Sequence, residues 1–431
     1  MRIKTVERGC LRQIISVLIG SFSCIACLDQ TALGQAGVPR PVTPFTETIL
    51  GRQSLNQYGS LEHTIQTLRA HRPLDLNAEV WAKANPAKSH AEWAQQAREC
   101  VETGLHYDAG PVDLCAVTLE REETDAFIRE RIEFNTTPWF RVPGYFYIPK
   151  NVPLPAPGLL VLHEWGGPML FGADRVCGEP VHPSIRRHRA KYTDGRALAD
   201  WYAEHGYAVI VIDAYHFGGR APRGLNGLPD SYDPAQLDET TLSQYDSLAR
   251  QSLYLGVRQL NWAGTTWAGV NYGDDSRCVD YLLSRSEVDA TRIGCTGLSG
   301  GGWRTNMLAA LEPRLKAVVS VGWMTTGDTQ QPYNVAGAIG TFCLLPGVWN
   351  RLDIPDLIAM AAPTACMVVS ATEDRLFPPL GQREAARQID KAFAWAGCSD
   401  HFKSYMPAKP HCYDSEIQAE ALKWFDRHLK Q

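Results

Sequence analysis

Arg292-Ile293-Gly294-Cys295-Thr296-Gly297-Leu298-Ser299-Gly300-Gly301-Gly302 reads as a strand, a tight turn and the start of a helix. Ile293 to Thr296 is the short apolar strand that leads in, and Trp303 to Leu311, rich in Met, Leu and Ala, is the helix that leads out. Between them, Gly297-Leu298-Ser299-Gly300-Gly301 fits the G-x-S-x-G nucleophile elbow. Side chains flanking the serine would clash in so sharp a turn, and glycines occupy both flanks. The turn lifts the Ser299 hydroxyl above the sheet edge and aims the N–H groups of the next helix at it.

The segments around this elbow alternate strand and helix. Gly158 to His163, Tyr207 to Ala214, Leu315 to Val321 and Ala365 to Ala371 are continuous apolar runs, and Phe402 to Met406 is a shorter strand. Gly195 to Glu204, Tyr272 to Ser284, Asp356 to Ala361, Gln382 to Ala396 and Ser415 to Leu429 have helical spacing. Strands without alternation, each followed by a helix, imply a parallel sheet covered on both faces. Upstream, Ala116 to Leu119, Phe127 to Phe134 and Gly144 to Ile148 read as antiparallel strands. Leu61 to Leu68, Val80 to Ala84 and Ala91 to Val101 read as helices. The expected fold class is α/β, a mostly parallel twisted sheet with a helical N-terminal extension. The expected division is a leader at 1–36, the extension at 37–114 and the sheet domain at 115–431.

The leader has the form of a secretory signal: Arg2, Lys4, Arg8 and Arg12, then the apolar stretch Ile14 to Leu28, then Gly34-Gln35-Ala36 before Gly37. The expected location is therefore secreted or periplasmic, with no membrane span. A variant reading places a lipoprotein anchor at Cys27. The formal charge of −5, with no basic arm or basic-aromatic array, speaks against nucleic acid. The dense basic run Arg186-Arg187-His188-Arg189-Ala190-Lys191 is expected to be a solvated loop. Export permits disulfides, and Cys100 with Cys115 is a local candidate pair; Cys295, on the strand into the elbow, is expected to be a buried apolar residue. No His/Cys/carboxylate spacing suits a metal, and neither metal nor cofactor is expected.

A serine hydroxyl needs a base within hydrogen-bond reach, and the base needs an acid to fix its tautomer. With a G-x-S-x-G elbow the chain order is serine, acid, histidine. The acid belongs just past a late strand, where Thr372-Glu373-Asp374 follows Ala371; Asp374 is the candidate and Glu373 the alternative. The histidine belongs before the last helix, where Ala408-Lys409-Pro410-His411 stands; His401 is the competitor. The oxyanion site needs two backbone N–H groups. Gly300 supplies one. The loop His163-Glu164-Trp165-Gly166-Gly167 supplies the other, from Trp165 with Glu164 second, and His163 is expected to hold that loop.

From Val142 onward the chain resembles the α/β-hydrolase superfamily. It is most similar to the dienelactone-hydrolase-like and acetyl-xylan-esterase-like branch of secreted bacterial hydrolases. The matching pieces are HEWGG with Phe171-Gly172, IDAYHFGGR at Ile212 to Arg220, GCTGLSGGG at Gly294 to Gly302, the Asp374 segment and His411. True dienelactone hydrolases use a cysteine nucleophile, where this chain has Ser299. The resemblance implies a cofactor-free carboxylesterase working through an acyl-enzyme, on a small-molecule or carbohydrate ester. Two other readings are a serine peptidase of the prolyl-oligopeptidase type and a catalytically silent binding protein on the same fold. The ester itself and the oligomeric state stay open. Trp323, Trp349, Tyr333 and Phe342 are candidates for a sugar-stacking or acyl-binding wall. Trp165 beside the nucleophile, and a polar, Gly- and Pro-broken Pro222 to Ser243 in place of an amphipathic lid, predict small acyl groups.

Overall fold

The computed structural model describes residues 61–108, 110–338 and 340–430. The expected signal at 1–36, its variant anchor Cys27 and the first part of the extension lie outside the described residues. Nine strands form one sheet in the order β1-β2-β3-β5-β4-β6-β7-β8-β9. β1 (Val117–Glu123), β2 (Phe127–Asn135) and β3 (Arg141–Pro149) are antiparallel. β3 runs antiparallel to β5 (Ala208–Ile212). From β5 outward, β4 (Ala156–Leu162), β6 (Val288–Leu298), β7 (Leu315–Val321), β8 (Ala365–Val369) and β9 (Phe402–Tyr405) are all parallel.

The burial pattern explains that arrangement. Every residue of β4, β5 and β8 is buried, as strands covered on both faces must be. The edge strand β1 is the opposite: all its residues are exposed, and its sequence VTLEREE carries charges that pair with β2. Glu120 meets Arg131 at 2.9 Å, and Glu122 meets Arg129. Charged edges of this kind resist pairing with another chain.

Helices cover both faces. The N-terminal ones are α1 (Leu61–Ala70), α2 (Ala78–Ala84) and α3 (His90–Leu105). α3 starts in a capping box between Ser89 and Glu92 and buries Trp93, Ala97 and Val101. Its Trp93 shares one hydrophobic core with residues of β4 and β6. The remaining helices are α4 (Pro183–Tyr192), α5 (Leu198–Glu204), α6 (Glu239–Trp262), α7 (Trp267–Ser284), α8 (Gly300–Leu311), α9 (Gly327–Ala338), α10 (Asp356–Ala359), α11 (Pro379–Trp395) and α12 (Ser415–Leu429).

Three expectations are corrected. The basic run at 186–191 is helical, part of α4, and its inward face buries Ile185, His188 and Arg189. Arg189 donates to the carbonyls of Asp174, Arg175, Cys177 and Gly178, so a residue expected in solvent ties down a buried loop. The stretch read as broken by Gly and Pro from Pro222 to Ser243 gives way at Glu239 to the 24-residue helix α6, which runs to Trp262. Finally, Cys100 and Cys115 are both free thiols. Cys100 sits on α3 beside the Arg351–Asp75 pair, whereas Cys115 lies in the exposed segment before β1, its carbonyl bonded to Arg141.

Candidate active site

Parallel strands bring their C-terminal ends to one edge, and the loops there form the site. β6 leads directly into Ser299, which has φ +56° and ψ −117°. A serine in this region is strained and is held by its surroundings. Its N–H donates to Val321 O at 2.8 Å, and its carbonyl accepts from Trp303 N at 2.9 Å. The glycines are required by close approach: a Cβ on Gly301 would stand 2.1 Å from Leu162 O, and one on Gly297 2.6 Å from the same atom.

β8 leads to Asp374, which is 2 % exposed. One carboxylate oxygen accepts from Leu376 N at 2.9 Å, and the other pairs with His411 Nδ1 at 2.6 Å. The His411 loop is laced to the acid loop by Thr372 N–Pro407 O at 2.9 Å and Glu373 N–Lys409 O at 3.1 Å. His411 packs on Gly322, whose φ of +64° and missing side chain leave room for the ring. With Nδ1–H donated to Asp374, Nε2 is left as the acceptor. His411, Ser299 and Gly300 line the same cavity. Among the described residues, no hydrogen bond is formed by the Ser299 hydroxyl; such contacts tighten in substrate complexes. The two alternatives are elsewhere: Glu373 is exposed, and His401 is bonded through Nδ1 to Pro363 O.

The loop after β4 faces Ser299 from the other side. His163 is fully buried. Its Nε2 accepts from Ala214 N at 3.1 Å, so Nδ1 carries the proton and donates to Glu164 O at 2.9 Å. Burial, helped by Arg304 and Arg175, pushes its pKa down to about 3. It is a neutral structural residue. The Trp165 ring lies over the elbow, 2.5 Å from where a Cβ of Gly300 would be. Glu164 and Trp165 both border the cavity.

Besides His163, sequence reasoning missed what holds this loop. Arg175, 1 % exposed, donates to Glu164 O at 2.7 Å, to Gly166 O at 2.5 Å and to Pro168 O. The Glu164 carboxylate pairs with His188 Nε2 and lies 3.5 Å from Arg175. Burial opposes its charge, but His188 and then Arg175 outweigh that and hold its pKa well below the usual carboxylate range. From outside, α6 clasps the same loop: Asp246 accepts from Met169 N, and Arg250 donates to Gly167 O. Only the dense basic run hinted at any of this.

The cavity holds about 320 Å³. Trp165, Trp267 and Phe342 form one wall, Trp323 and Phe377 another, and Arg250 and Tyr254 of α6 stand on its border. Of the expected aromatic wall, Trp323 and Phe342 are present. Trp349 instead packs against Trp303, with its indole N–H on Cys343 O, and Tyr333 does not line the cavity. Cys295 is buried beside Thr305, and burial pushes its thiol up to about 12. Among the described residues, no cluster of three His, Cys or carboxylate groups could hold a metal, and no helix is long and apolar enough to cross a membrane.

Sheet order, strained elbow serine and the acid and histidine on successive later loops define the class: an α/β-hydrolase. The family whose model matches residues 56–409 is the Abhydrolase family, and the chain belongs to it. A protein of Bacillus subtilis (strain 168) provisionally named hydrolase YtaP is 23 % identical over 312 residues, covering 72 % of this chain and 92 % of that one. Among solved structures, a Bacteroides fragilis NCTC 9343 protein provisionally named acetyl xylan esterase has a TM-score of 0.59 at 18 % identity, covering 81 % of this chain and 82 % of its own. The glucuronoyl esterase from Solibacter usitatus has a TM-score of 0.55 at 15 % identity, covering 81 % of this chain and 93 % of its own.

Proposed function

We propose that this protein is an exported serine carboxylesterase acting on a carbohydrate ester. The observation that carries the reading is the Asp374–His411 pair at 2.6 Å, whose free Nε2 belongs to a residue bordering the same cavity as the strained Ser299. The names of the fold neighbours, acetyl xylan esterase and glucuronoyl esterase, support a carbohydrate ester as the substrate class.

In the proposed reaction Ser299 Oγ attacks the ester carbonyl while His411 Nε2 takes its proton. Asp374 keeps Nδ1 protonated and stabilises the imidazolium that forms. The N–H groups of Gly300 and Trp165 receive the oxyanion, at the N-terminus of α8 and on the loop clamped by Arg175. His411 returns the proton to the leaving alcohol, the acyl-serine forms, and a water activated by the same Nε2 releases the acid. Every step uses this chain's own groups.

Purified protein should hydrolyse p-nitrophenyl acetate and release acetate from acetylated xylan, and exhaustive chelation should leave both rates unchanged. Cleavage of prolyl peptides in preference to every ester would install the peptidase reading in its place. Absence of turnover on all of them would favour the silent-fold reading.

A further inference from the structure

Helix α6 carries an exposed face that neither the fold nor the triad explains. Gln251, Tyr254, Arg258 and Trp262 recur at three- and four-residue steps and so share one side of the helix. All four are exposed, as are the flanking Gln259 and Asn261. Trp262 is 94 % exposed and Tyr254 59 %. Burying rings this open would be favourable, so the face offers apolar area to whatever covers it.

The composition of the face narrows what covers it. From Gln251 to Trp262 no exposed position is acidic, aliphatic or a lysine. An ordinary solvated helix face is built from Lys and Glu, and this one has neither. Two flat rings interleaved with amides and a guanidinium offer apolar planes for the C–H faces of sugars and donors for their hydroxyls. The face also runs into the pocket. Tyr254 borders the cavity that contains Ser299, as does Arg250 one turn before it. Trp262 lies about 12 Å further along the helix axis at 1.5 Å per residue, the span of a short run of pyranose rings.

We infer that the outer face of α6 from Tyr254 to Trp262 is a glycan-binding track that extends the catalytic pocket and seats the chain bearing the scissile ester. The inference rests on the carbohydrate-ester reading for its substrate, and the track is tested by binding so that the two can fail separately. The Ser299→Ala protein, which cannot turn over, is titrated with soluble acetylated glucuronoxylan and with its deacetylated backbone. Adding Trp262→Ala should weaken binding of both by about 3- to 10-fold, as expected for one lost stacking platform. Trp262→Phe should restore most of the loss. In the protein with Ser299 intact, Trp262→Ala should lower kcat/KM on the polymer and leave p-nitrophenyl acetate turnover within about 2-fold. Unchanged glycan binding in Trp262→Ala overturns the track, as does an equal loss on polymer and small ester. Loss of self-association with glycan binding intact assigns the ring to a protein contact and also overturns it. If wild-type protein cleaves no ester while Trp262 still governs glycan binding, the esterase reading falls and the track stands.

Discussion

Two carboxylate–histidine pairs belong to the pocket region, and only one is suited to proton transfer. Asp374 holds His411 by Nδ1, which leaves Nε2 free on a ring that borders the cavity. Glu164 holds His188 by Nε2, and the remaining nitrogen, His188 Nδ1, lies against Gly167, where a Cβ would stand only 2.5 Å away. The first pair is built from loops after β8 and before α12. The second belongs to the anchoring of the loop after β4. A carboxylate beside a histidine therefore does not define a base; an unspent nitrogen in the cavity does.

The largest effect that tests this contrast is expected at the first pair. Asp374→Asn should lower kcat by roughly 10³–10⁴-fold through loss of the required tautomer, while Glu373→Gln should leave it nearly unchanged. Reversed results would move the acid by one residue. On the other side, Arg175 clamps three carbonyls of the loop after β4, the proposed oxyanion loop. Arg175→Met should cost about 10²-fold in kcat, the scale of a donor misplaced by about an ångström. The pH dependence of kcat/KM should be unmoved, since Arg175 acts through the loop and not on His411; a shifted pH profile would make it part of the proton relay.

Smaller effects sharpen the comparison. Trp165 lies over Gly300, and in the proposed reaction it narrows the acyl side. Wild-type protein should prefer p-nitrophenyl acetate to the octanoate, and Trp165→Ala should shift the kcat/KM ratio by about 10-fold toward the longer chain. A wild-type maximum at eight carbons or more would contradict the narrow pocket. The Glu164 pair should show in stability. Its folded pKa lies below the unfolded value, so the native state binds fewer protons; the stabilisation is present above the unfolded pKa, ordinarily about 4.5, and is lost as pH falls through the folded one. Glu164→Gln should therefore flatten the acid limb of the Tm-against-pH curve. An unchanged limb would mean that the carboxylate is not ionised in the fold.

The two regions also differ in how legible they were. The placement of the elbow and Asp374 could be read because each stands just beyond a strand whose apolar run is unmistakable, and that of His411 because it immediately precedes the closing helix. β7 and α12 have the expected boundaries, Leu315–Val321 and Ser415–Leu429. The anchoring region could not be read because its inward faces are polar. α4 buries a histidine and an arginine with Ile185, which in sequence looks like a charged loop. α6 buries Leu242, Ala249, Ser252 and Val257 and packs Tyr245, Leu248, Leu253 and Leu260 against the core, a helical spacing that the Gly- and Pro-broken segment before it obscured. Arg175 acts on backbone carbonyls, and backbone acceptors leave no trace in sequence.

The central claim is that Ser299 is an activated nucleophile served by His411. A fluorophosphonate probe, followed by peptide mapping, tests it most directly, because only a serine with a working base is phosphonylated. Stoichiometric labelling on the Ser299 peptide is expected, abolished in Ser299→Ala and slowed on the order of 10³-fold or more in His411→Ala. An unlabelled wild-type protein, or label on any other serine, would contradict it.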